Sequence, residues 1–406
     1  MNSLAACVAV RHCVALVPLA LTLCLASGCK QAAPADQPPT TDVDASSVEV
    51  TAEEKDIAVE VAADATASAD AASTLTVTLH GGIVVGVGPA DVDFAGADIA
   101  AVRTGAAIEQ VPPGVQVVDV KGKWLTPAAI DSHVHMLIMP EWKKMAAGGV
   151  AVVVDLAAPV EVFQTDFAPL KVLASGPMLT APGGYPIKSW GRKGFALGVA
   201  NGTEAAAAVK MLAGMGAQAI KVPLETGPKM TLETLSALAL EAHAQGIRVM
   251  THALREKDAA LAASAGVDGM AHTPMQRLSA PTAQAWAGRA VVSTLVSYGR
   301  QAGVENIGTL RKAGVTILYG TDFGKTSPAG IQEAELKLLM QAGLDGPALL
   351  KAMTADPAAF WKLPRYGAIA AGKAASVLVL DADPSVTPLT LVKPAQVWLD
   401  GTAVGP

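Results

Sequence analysis

The chain has 406 residues, 51% of them hydrophobic and 16% charged, with a formal net charge of −6. An acidic balance without a basic block excludes a nucleic-acid surface as its organising feature. All four cysteines, Cys7, Cys13, Cys24 and Cys29, fall within the first 29 residues, which excludes disulfides, thiolate ligands and cysteine nucleophiles from the remainder.

Those first residues carry Arg11 as their one fixed side-chain charge, then an apolar run from Val14 to Leu25, then Ala26-Ser27-Gly28-Cys29. Residues 1–28 therefore read as a secretory signal, the run being too short to span a bilayer. Small residues before a cysteine resemble the lipobox of bacterial lipoproteins, whose cysteine is lipidated and becomes the new N-terminus. Cys29 is the expected membrane anchor. Ala26 stands where leucine is commoner, which leaves ordinary signal-peptidase cleavage open. By resemblance to Gram-negative sorting rules, Lys30 after the cysteine points to an outer-membrane lipoprotein of the cell envelope.

Residues 29–73 read as a disordered tether, with ten Asp or Glu against two Lys and no aromatic residue, too little apolar surface to fold alone. A short alternating stretch at 57–61 could pair as a strand. Without the tether's charge the rest is close to neutral.

Strand patterns at 75–85 and 117–120, and again at 376–381 and 396–404, predict a small β-sandwich domain assembled from both chain ends, 74–125 and 364–406. Between them, over 126–363, short apolar runs alternate with helical stretches, as in an α/β (β/α)8 TIM barrel. The expected barrel strands are 125–133, 150–155, 170–175, 217–222, 247–252, 269–272, 290–295 and 315–321. Helices are expected at 203–214, 232–245, 256–265, 308–313 and 331–342, several ending in glycine: Gly214, Gly246, Gly266, Gly314 and Gly343. An open doubly wound sheet would give the same alternation, so the polar residues must decide.

Asp131-Ser132-His133-Val134-His135 ends the first expected strand, and histidines one residue apart on a strand face the same way and can clasp one cation. Alone, such a pair also fits two ordinary histidines. Six histidines follow the signal, and four of them, His133, His135, His252 and His272, fall at the C-terminal ends of strands 1, 5 and 6, which meet at one mouth of a barrel. His80 and His243 fall elsewhere and read as structural or exposed. Asp322 ends strand 8, beside strand 1 in a closed barrel; it reads as a metal ligand, or otherwise as a helix N-cap. Lys221 ends strand 4 among apolar residues. Burial would neutralise its amine, which could then add carbon dioxide and become a carbamate able to bridge two metals; the plainer alternative is snorkelling to solvent or pairing with Glu225.

With these residues in place, the chain resembles the amidohydrolase superfamily, in particular its prolidase-like and imidazolonepropionase-like members. Lys121-Gly122-Lys123, Leu125-Thr126-Pro127, Gly367 and Gly372-Lys373 add to the likeness, which spans nearly all of 75–404. The resemblance implies that His133, His135 and Asp322 hold one divalent ion, that His252 and His272 hold a second, and that carboxylated Lys221 bridges them. It implies two zinc ions, a water between them made acidic enough to attack a carbonyl, and Asp322 as proton carrier, the outcome being hydrolysis of an amide-type carbon–nitrogen bond. The chain departs from the pattern at Ala128-Ala129 and Ala375-Ser376, and only 136–149 separates strands 1 and 2, which leaves the mouth more open.

A small-molecule substrate is expected, with Tyr185, Arg255 and Tyr298 as candidate contacts, the arginine for a carboxylate. One rival is a mononuclear imidazolonase or deaminase with unmodified Lys221 and catalytic His272; against the adenosine type, Arg255 stands where that group has glutamate. The other is a catalytically silent binding lipoprotein.

Overall fold

A computed structural model describes residues 74–105 and 114–405. The expected signal, the Cys29 anchor, the tether and the strand at 57–61 lie outside the described residues. No helix among those described is long and apolar enough to cross a membrane.

Strands β1 (Val77–Val84), β2 (Gly88–Ala95), β3 (Asp98–Thr104), β4 (Gln116–Asp119) and β5 (Trp124–Pro127) come first. Then follow β6 (Ala129–Val134), β7 (Val150–Asp155), β8 (Lys171–Ala174), β9 (Met178–Thr180), β10 (Ala196–Gly198), β11 (Ala219–Pro223), β12 (Arg248–His252), β13 (Gly269–Met270), β14 (Ala290–Val292) and β15 (Thr316–Leu318). The chain ends with β16 (Val377–Leu380), β17 (Gln396–Leu399) and β18 (Thr402–Gly405).

Where two packed sheets were expected from the chain ends, hydrogen bonding joins all eight terminal strands in one sheet, β18-β17-β16-β5-β1-β2-β3 with β4 beside β1. Alternation along β16 explains how this sheet buries both faces. Leu378 and Leu380 join the large core under the central strands, while Val377 and Val379 pack with Leu79, Phe94 and Trp398 in a second cluster.

The central strands pair in parallel as β6-β7-β8 and β11-β12-β13-β14-β15, with β9 and β10 paired separately. This is an α/β fold with parallel sheets, and its strand ladder does not run unbroken around a closed barrel. The two sheets still meet at both ends: Gln218 N donates to Ala174 O at 3.0 Å, and on the other side Ser132 N donates to Tyr319 O at 2.9 Å and Asp322 N to His133 O at 2.8 Å. That second seam sets Asp322 beside the paired histidines. Every residue of β7 and β11 is buried, which accounts for their unbroken apolar runs.

The expected strand at 125–133 divides at Ala128. Ala128 N donates to Ser376 O in the terminal sheet and Ala129 N to Gly149 O in the parallel one, so successive amides serve different sheets. Helices occupy Gly202–Gly214, Leu232–Ala244, Glu256–Ser264, Arg300–Lys312 and Glu333–Gln341. Gly214 lies inside the first of these, and Gly216, at φ 103°, makes the left-handed turn that follows it. The fourth begins eight residues before the expected 308, because Gly303 and Gly308 dilute its helical pattern.

Candidate active site

His133 is fully buried near the end of β6, and His135 follows one residue beyond it. Asp131 braces the strand by accepting from His133 N at 3.0 Å, Thr321 N at 3.1 Å and Thr321 Oγ1 at 2.6 Å. His133 Nδ1 lies 2.8 Å from the Ala271 carbonyl, which makes it the protonated nitrogen and leaves Nε2 as an acceptor. Burial, with Lys221 close by, holds the His133 imidazole well below its ordinary pKa and therefore neutral.

Asp322 takes up a left-handed backbone at φ 56°, a cost that polar residues other than glycine carry chiefly at functional positions. Its Oδ1 lies 3.1 Å from His135 Nε2 and 3.5 Å from His133 Nε2. Burial pushes its carboxyl up, but the adjacent His133 and His135 more than offset this and hold it below the usual carboxylate range. The ligand atoms of His133, His135 and Asp322 all fall within 4.8 Å of one another.

Lys221 is the third of five buried residues in β11. Burial pushes its amine down to about 7, against the carboxylates of Asp322 and Asp155. It does not pair with Glu225, which instead meets His252 Nε2 at 3.1 Å and accepts from Arg255 at 3.0 Å. With Nε2 so engaged, His252 has Nδ1 left for the site. His272 Nδ1 meets Thr294 Oγ1 at 3.0 Å. The ring centroids of His133 and His272 are 4.5 Å apart and those of His252 and His272 4.7 Å, so all four strand-end histidines form one cluster.

His133 Nε2, Lys221 Nζ and both Asp322 oxygens are buried without a hydrogen-bond partner. Four such atoms together are costly unless something binds them. The nitrogen and oxygen donors, acceptor-only where they can be assigned, suit a divalent cation such as zinc, so the residues fit a metal.

Residues 124–404 match the model of the amidohydrolase family. The chain belongs to that family. Among solved structures, a putative prolidase from Bifidobacterium longum is 23% identical with a TM-score of 0.71, over 82% of this chain and 96% of that one. A prolidase complexed with N-methylphosphonate-L-proline is 22% identical with a TM-score of 0.70, over 81% and 99%. A Xaa-Pro dipeptidase with methionine bound in its active site is 18% identical with a TM-score of 0.70, over 80% and 99%. No curated protein matches the chain. Hydrolysis at a carbon–nitrogen bond is the reaction class that goes with membership of the amidohydrolase family.

In this amidohydrolase His135, Lys221, His252, His272 and Asp322 line a cavity of about 380 Å³ together with Tyr185, Trp190, Tyr298 and Lys325. Tyr298 sits 4.5 Å from His272 and Tyr185 5.6 Å from His252, ring to ring. Burial raises the pKa of both phenols, which stay protonated and able to donate. Arg255 does not line this cavity; the structure places it behind His252, on Glu225. His80 pairs with Asp91 in the terminal sheet and His243 with Asp268, both away from the cluster.

Sequence reasoning missed Trp190 and Lys325. Trp190 donates to Tyr185 Oη at 2.8 Å and meets the His135 ring at 5.8 Å, so it ties the Tyr185 loop to the paired histidines along the cavity lining. A tryptophan in a glycine- and lysine-rich loop is a signal that could have found it.

Proposed function

We propose that this protein is a metal-dependent hydrolase that cleaves an amide- or peptide-like carbon–nitrogen bond, on a (β/α)8 framework. The observation that carries this reading is the convergence of four buried atoms without a hydrogen-bond partner: Lys221 and Asp322 line one cavity, and His133 Nε2 lies 3.5 Å from Asp322 Oδ1. His133, His135 and Asp322 would hold one divalent ion, His252 and His272 a second, with carboxylated Lys221 between them. When bound, such ions supply Lewis acidity toward a scissile carbonyl and lower the pKa of a water.

The chain's own residues supply the rest. Asp322 is ionised at neutral pH, can accept a proton at a carboxylate oxygen, and can return it to the departing nitrogen. Lys221, with its amine pushed down to about 7, is largely neutral above that pH. Its nitrogen can then add to the carbon of carbon dioxide and release one proton, giving a carbamate. Glu225 and Thr294 fix the rings of His252 and His272. Tyr185 and Tyr298 remain phenols that can hydrogen-bond a substrate carbonyl.

The test is to purify the protein with zinc, count metal per chain, and assay dipeptides, N-acyl amino acids and lactones. Two zinc ions and turnover of a carbon–nitrogen substrate support the proposal. The tight group of His133, His135 and Asp322 alone favours one second reading, a mononuclear enzyme, which one ion per chain and full activity of Lys221→Ala would establish. The proposal extends to location: export with lipidation at Cys29 predicts that Cys29→Ser moves the protein from the membrane fraction to the soluble one.

A further inference from the structure

Lys325 follows Asp322 by three residues and lines the same cavity. Its Nζ stands 3.2 Å from the centroid of the Tyr298 ring, and that ring also meets His272 of the histidine cluster at 4.5 Å. The turn that carries it is tied down. Lys325 N donates to Asp322 O at 3.0 Å, and Gly324, at φ 105°, lies so close to His135 that an added Cβ would come within 2.8 Å of that residue's own. The position of Lys325 is thus registered to the ligand cluster.

Among the described residues, the Lys325 ammonium has no hydrogen-bond or ion-pair partner beyond the Tyr298 ring. Asp322 is the one carboxylate among the cavity's lining residues, and its Oδ1 faces His135 Nε2 at 3.1 Å and His133 Nε2 at 3.5 Å. A cation on an aromatic face beside a reaction cavity, near the Asp322 carboxylate but in no direct ion pair with it, can meet an anion from outside. A single ammonium with no guanidinium fork beside it, near the ionised Asp322, suits a singly charged group better than a phosphate dianion. The lining also includes the apolar or aromatic side chains of Ile138, Met178 and Trp190.

We propose that Lys325 binds the free carboxylate of the substrate, and that the substrate is an N-acyl amino acid or dipeptide whose apolar acyl side rests on Ile138, Met178 and Trp190. This rests on the hydrolase reading above and adds to it the class of molecule and the residue that selects it.

The experiment uses the full-length, zinc-loaded protein and an inert probe, so that recognition is separated from turnover. 3-Benzoylpropionate is the ketone isostere of N-benzoylglycine and has no bond to hydrolyse; its methyl ketone, 1-phenylpentane-1,4-dione, lacks the charge and is equally inert to hydrolysis. Calorimetry on wild type, Lys325→Met and Lys325→Arg should give at least about tenfold tighter binding of the acid than of the dione in wild type, loss of that preference in Lys325→Met, and its return in Lys325→Arg. Equal binding of acid and dione by wild type overturns the proposal, as does an acid preference unchanged in Lys325→Met or no binding of either probe. An intact acid preference with no hydrolysis of N-benzoylglycine supports Lys325 as the carboxylate site and counts against the amide-cleavage reading alone.

Discussion

Glu225 Oε2 lies 3.1 Å from His252 Nε2. That hydrogen bond, with burial opposing it, holds the Glu225 carboxyl down to about 2, so the pair orients the imidazole with its other nitrogen toward the site. Glu225→Ala should weaken the second zinc by about 10- to 100-fold while sparing the first, as read by zinc titration against a competing chelator. Arg255→Ala, acting through Glu225, should have a smaller effect of the same sign.

Lys221 bears on nuclearity. Lys221→Met should lower zinc from two ions per chain to one and reduce turnover by about a hundredfold or more. Because the amine is largely neutral only above about pH 7, wild type stripped of carbon dioxide should recover activity on adding bicarbonate at pH 8 and recover little at pH 6. Activity indifferent to bicarbonate at both values would argue against the carbamate.

Asp131 accepts three hydrogen bonds, one from His133 N within β6 and two from Thr321 across the seam to the segment after β15. Asp131→Ala leaves two amides and a hydroxyl unpaired in the interior and should cost about 2–4 kcal/mol in urea unfolding. Asp131→Asn keeps an acceptor and should cost less. Zinc binding should fall in step with stability, because the seam carries both His133 and Asp322.

Glu335 gives a pH dependence of known sign. Burial pushes its carboxyl up to about 7, against the Ser293 hydroxyl and the Leu295 and Val296 amides. The folded value thus exceeds the unfolded one, about 4.5. Its stabilising contribution is complete below about pH 4.5 and is lost as pH rises through about 7. Relative to Glu335→Gln, wild type should lose up to about 3 kcal/mol of unfolding free energy across that window; parallel curves for the two proteins would contradict the assignment.

The cluster was legible because its chemistry is sparse: few histidines, four of them at ends of apolar runs, and one aspartate and one lysine at two more. Buried parallel strands such as β7 announce themselves by unbroken apolar sequence. β2 and β3 did not, since Asp91 and Asp93 interrupt the apolar pattern and are buried on Arg103, His80 and Thr78 instead of facing water. The pairing of Arg255 with Glu225 was not legible, because an arginine just past a strand looks the same in sequence whatever carboxylate it meets. Trp190 and Lys325 lie in loops, where no periodicity marks which side chain turns inward.

The central claim is that His133, His135, Lys221, His252, His272 and Asp322 jointly hold catalytic metal. Anomalous diffraction at the zinc edge from the zinc-loaded protein tests it most directly. The account predicts two zinc peaks among those six side chains, with electron density continuing past Lys221 Nζ. Zinc bound elsewhere, or a zinc-saturated crystal with no peak in that cavity, would contradict it.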